Sequence, residues 1–229
     1  MHVAAAVVSV LYIAVQSFQW WVFAKVPEGN GLAGALESGA HPLNVARSWL
    51  MLLAIFGLVF VYYTVCLTFE RQNRAGAWLA FLGFFVFFLM EITLRSTELF
   101  YFQIQLPAEF HATTDAAVRA SMLHSMEVFQ GIQHALYFPL MMAPTLGSVI
   151  VLTVIPRVSV HWPIAAAMAI NALRVALRIV GEYLGWNVLS PAVMTWSYLP
   201  LVFMVWGLTA WWLVRMARGA DAGSRAAAA

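Results

Sequence analysis

The chain has 229 residues, of which 63% are hydrophobic and only 10% charged, with a mean hydropathy of +0.82. That composition excludes an ordinary soluble domain and matches a polytopic membrane protein. The formal net charge of +2 is too small to point to nucleic acid. The single lysine, Lys25, leaves no lysine within an apolar run for a Schiff base, and the single cysteine, Cys66, cannot form an internal disulfide.

A helix needs about 20 apolar residues to cross the hydrocarbon core. Six segments meet that length, at roughly 3–24, 47–69, 77–102, 131–155, 160–185 and 193–216. The fold expected is therefore all-α, with six transmembrane helices in one bundle over residues 1–218 and a disordered tail at 219–229. The first segment lacks a basic leader and is too long for a signal-peptide core, so it reads as a helix that is kept. Residues 25–46 read as a long loop and 103–118 as a polar connection. An amphipathic stretch at 117–130 precedes the fourth segment and is expected to join it in one long helix, with Gly131, Pro139, Pro144 and Gly147 as bending points. Gly83 has Leu79 and Phe87 four residues to either side, so it forms no small-xxx-small pair within its own segment.

Basic residues in the flanks set the expected orientation. Arg71, Arg74, Arg157, Arg215, Arg218 and Arg225 fall on one side, and Lys25, Arg47 and Arg119 on the other. That asymmetry puts both termini in the cytoplasm and the two long connections outside, in a plasma membrane such as a bacterial inner membrane. Trp20, Trp21, Trp186 and Tyr198 then form an outer aromatic belt, and Trp211 and Trp212 an inner one.

Ionisable groups at membrane depth are costly and mark sites by default. The third segment carries Glu91, Arg95 and Glu98 at spacings i, i+4, i+7, on one helical face. The fourth offers His124, Glu127, Gln130 and His134 toward the same side, and the fifth carries Asn171, Arg174, Arg178 and Glu182. Gln16 and Gln19 join them from the first segment, whereas the other half of each segment is nearly free of polar groups. Three stripes at one depth predict a shared polar cavity between the third, fourth and fifth segments.

Glu127 or Glu91 would be its acid/base group, oriented by His124 or His134, because a carboxyl in an apolar pocket is a ready proton carrier. Arg95, Glu98, Gln130, Asn171, Arg174, Arg178 and Glu182 would engage a ligand, with the paired arginines suited to an anionic head group. The plentiful aromatics suit an amphipathic, lipid-like molecule such as an isoprenoid, sterol or acyl compound, so the partners expected are membrane lipid and a lipophilic ligand. A metal at His124, Glu127 and His134 is a weak alternative, since the chain lacks Glu-x-x-His pairs and His-Glu-x-x-His. It also lacks Walker A, G-x-S-x-G and C-x-x-C motifs. An enzyme or binding protein is the first reading. A small transporter or channel protomer, a non-catalytic subunit of a membrane complex, and a homo-oligomer stay open.

Overall fold

The computed structural model describes residues 1–27, 29–186 and 188–228, with Pro191 and residues 220–228 described in backbone only. The described residues contain helices and no strand. In chain order these are α1 (His2–Lys25), α2 (Gly31–Ala40), α3 (Pro42–Phe69), α4 (Arg74–Ser96), a π-helical stretch (Thr97–Gln105), α5 (Leu106–Ala112), α6 (Ala116–Val154), a 3₁₀ turn (Ser159–His161), α7 (Trp162–Leu184) and α8 (Pro191–Ala228). The expectation for the tail, 219–229, falls outside the fully described residues.

Six helical runs are long and apolar enough to cross a membrane: His2–Lys25, Pro42–Phe69, Arg74–Ala112, Ala116–Val154, Ser159–Leu184 and Ala192–Gly219. They match the six segments expected and are compatible with an integral membrane protein. Each packs on its neighbour in sequence, and α8 returns to pack on α1, so the spans close into a ring. One continuous core runs through all six, built around Tyr62, Phe69, Phe84, Phe88, Trp206 and Trp212. Trp212 is fully buried, which corrects its expected place in an interfacial belt; Trp211 beside it is exposed.

Local chemistry accounts for the helix limits. Asn73 caps α4 by accepting from the Gly76 amide at 2.9 Å, and Asp115 caps α6 by accepting from the amides of Ala117 and Val118. Pro42, Pro107 and Pro163 stand in the first turns of their helices, where no amide is needed. Gly185 ends α7 at φ +68°, and the Trp186 amide reaches back to the Val180 carbonyl.

The connections differ from the sequence reading. Residues 25–46 hold the ten-residue α2, and 103–118 is helical through Ala112. The fourth segment does join its forerunner, giving a 39-residue helix that runs through Pro139 and Pro144. At 1.5 Å per residue it is about 58 Å long, nearly twice a hydrocarbon core. Its first turns leave the ring and pack with α2, the π-helix and α5 around Leu36, Phe102 and Leu106. We call this the outer end of the bundle.

Gly83 packs closely after all. A Cβ there would stand 2.8 Å from the Ala143 carbonyl oxygen and 3.2 Å from Gly147. The small pair lies on the facing helix, as Ala143 and Gly147, so a search within α4 alone could not see it.

Candidate functional site

The outer half of the ring holds a polar centre whose anchor is Arg95. Its Nε donates to Glu91 Oε1 at 3.0 Å and its Nη1 to Glu98 Oε2 at 2.9 Å. The i, i+4, i+7 spacing produces this within one helical run. The π-helix then begins at Thr97 and lets Gln103 donate to Glu98 Oε1 at 3.2 Å. Arg47 of α3 closes the network, with Nη2 at 3.6 Å from the same oxygen. Its guanidinium also lies 4.7 Å from the Phe23 ring centre on α1. Glu91, Arg47 and Gln103 are buried.

A second group adjoins the first. Gln16 of α1 donates to the Tyr12 hydroxyl at 2.6 Å and accepts from the Tyr198 hydroxyl of α8 at 2.8 Å. Arg174 of α7 donates to Asn171 Oδ1 at 3.4 Å, and Asn171 donates to Ser148 of α6 at 3.0 Å. The Arg174 guanidinium stands 5.6 Å from the Tyr198 ring centre. Together the two groups draw on all six spans. Toward the inner end, the same helices bring together Tyr12, Tyr62, Phe84, Phe88 and Trp206, with ring centres 3.9 to 5.6 Å apart.

The charge balance is uneven. Across the two groups, three guanidiniums (Arg47, Arg95 and Arg174) stand against two carboxylates, Glu91 and Glu98, and both carboxylates bond to Arg95. Among the described residues Arg174 has no carboxylate within 4.0 Å. Its Nε is buried without a hydrogen-bond partner, as are Arg47 Nε, Gln19 Oε1, Asn44 Oδ1 and Gln103 Oε1. Buried polar atoms are almost always bonded, to protein or to something bound. Every such orphan among the described residues lies on the outer-half portions of α1, α3, α7 or the π-helix.

Of the sequence candidates, the structure joins Glu91, Arg95 and Glu98 in one network and Asn171 and Arg174 in a second. It sets the others apart. His124 and Glu127 pair at 3.4 Å on the projecting part of α6, with side chains 73% and 66% exposed. His134 pairs with Glu182 of α7 at 3.6 Å and stacks on Tyr183, also at the exterior. Gln130 and Arg178 are exposed. No three His, Cys, Asp or Glu side chains among the described residues could together hold a metal ion, and His134 does not converge with His124 and Glu127. The residues that sequence reasoning missed are Arg47, Gln103, Ser148 and Tyr12, along with Tyr198, which had been assigned to the interfacial belt. Arg47 read as a flanking charge because it opens its apolar run; its partner lies 51 residues away, on another helix.

No protein-family model, no curated protein and no solved structure matches this chain.

Proposed function

We propose that the protein binds an amphipathic, lipid-like anion inside its ring of helices, with the carboxylate or phosphate of the ligand held by Arg174. One observation carries this reading. Arg174 stands one residue past the middle of the 23-residue α7, buried at Nε and with no carboxylate partner among the described residues. A guanidinium at that depth needs a counter-ion, and its planar fork fits carboxylate or phosphate. The buried aromatic layer beside it gives that end of the centre apolar, water-poor surroundings, in which a paired guanidinium is favoured over a bare one.

Glu91 is the one acid/base candidate buried in the outer half of the ring, but its Oε1 already accepts from Arg95 Nε at 3.0 Å. That arrangement suits binding better than proton donation. The transporter reading draws on the mid-depth of Arg174, but a layer of packed aromatics stands between it and the inner end. The plasma membrane location, with both termini cytoplasmic, rests on the six-to-three arginine and lysine asymmetry.

The test uses purified protein in lipid nanodiscs with a long-chain carboxylate and its methyl ester as probes. A bound ligand raises thermal stability by mass action. The carboxylate is expected to raise the melting temperature and the ester to leave it unchanged, with Arg174→Gln removing the difference. Equal shifts from both probes, or an unchanged difference in Arg174→Gln, would overturn the reading.

A further inference from the structure

The inner end of the ring carries a second feature, independent of the polar centre. Where α1 and α8 meet, an apolar groove of about 420 Å³ opens on the outside of the bundle. Val3, Val7, Val10 and Leu11 line it from α1, and Trp211 and Val214 from α8. Its wholly apolar lining, shared by two adjacent helices, suits a hydrocarbon chain. No polar side chain lines it, so only an apolar occupant fits.

Charge lies at one end of the groove. The Arg215 guanidinium sits 5.6 Å from the ring centre of Trp211, and Trp211 is held edge-on by Trp162 at 5.2 Å. Arg215 is half-buried and has no carboxylate within 4.0 Å among the described residues. The neighbouring inner-end charges are Arg71, Arg74, Arg157 and Arg218, against Glu70, which is already paired with Arg74 at 3.4 Å. The groove therefore ends in a cationic, aromatic shelf near the inner end of α8.

We propose that this groove is a binding site for an anionic phospholipid, with an acyl chain along α1 and α8 and the phosphate-bearing head on Arg215. Trp211 holds the guanidinium in place and covers the upper chain. A basic residue near the surface favours an anionic lipid by about 1 kcal/mol, or about fivefold in occupancy.

The experiment uses the full chain in bilayers of phosphatidylcholine doped with either brominated phosphatidylglycerol or brominated phosphatidylcholine. Bromine quenches nearby tryptophan, and the signal of Trp211 is read as the difference between the protein and its Trp211→Phe variant. Brominated phosphatidylglycerol is expected to quench Trp211 at about one fifth of the concentration needed for the neutral lipid. Arg215→Gln should bring the two concentrations together, and Val10→Phe, which narrows the groove without touching the head site, should weaken quenching by both. Equal quenching by the two lipids, or an unchanged preference in Arg215→Gln, would overturn the proposal. So would a disulfide-linked dimer through Val7→Cys, in a Cys66→Ser background, that excludes both lipids.

Discussion

Arg95 and Arg174 are both guanidiniums in the outer half of the ring, and their surroundings give them opposite roles. Arg95 has two carboxylates on its own helical run and is fully engaged. Removing it would leave Glu91 and Glu98 facing each other in a water-poor interior. Breaking one side of a buried ion pair costs about 3–5 kcal/mol. Arg95→Leu should therefore lower the melting temperature sharply in detergent, whereas Arg174→Gln should leave it unchanged or raise it when no ligand is bound. The same Arg174→Gln change should weaken anion binding about 10- to 100-fold, because hydrogen bonds to charged groups are worth about 1.5–3 kcal/mol. Arg95 was legible from sequence, since its partners lie within one turn or two of a single helix. The unpaired state of Arg174 was not, because Glu182, two turns further along α7, could have reached the stripe and instead meets His134.

At the scale of elements, two local departures from regular helix packing position the site. The π-helix at Thr97–Gln105 keeps one continuous rod while shifting the face that follows Glu98, so that Gln103 shares Glu98 with Arg47. Deleting Thr97 should convert the stretch to ordinary α-helix and rotate Gln103 off Glu98. The expected readout is a loss of anion binding comparable to Arg174→Gln, with helix content by circular dichroism unchanged.

The second departure is the close crossing of α4 and α6 at Gly83. Gly83→Leu must push α6 away and should destabilise the fold by about 1–3 kcal/mol, as overpacking does, while Gly131→Leu, which meets nothing within 4 Å, should not. Melting curves of the two variants compare them directly. Sequence alone suggested the long α6 through the amphipathic stretch that precedes its apolar run, whereas the Asp115 cap that starts it emerged only in the structure. It misjudged His124 and Glu127 because an amphipathic pattern shows that one face is polar without showing whether that face meets protein or the exterior. The 58 Å length of the helix carries those two residues beyond the ring.

At the scale of the whole molecule, six spans follow one another in sequence order, and α8 packs back on α1 to close the ring. Reporter fusions at the two termini should give the same sidedness, with a reporter in the connection between α1 and α3 giving the opposite one. The count of spans was plain in the sequence, because hydropathy over about 20 residues is a strong signal. Closure of the ring was not, since it depends on which apolar faces meet, and Ala5, Ala6, Val205 and Ala210 look like any lipid-facing residues when read along the chain. That closure is what makes Gln16 and Tyr198 neighbours across 182 residues and completes the wall around Arg174.

The central claim is that this wall encloses an anion. Native mass spectrometry of the protein released from gentle detergent, followed by extraction of what leaves with it, addresses that claim most directly. The account predicts an acidic amphiphile at about one per chain on the unaltered protein, absent from Arg174→Gln and retained by Arg178→Gln. Retention of the same acidic molecule by Arg174→Gln, or a neutral molecule in its place, would contradict it.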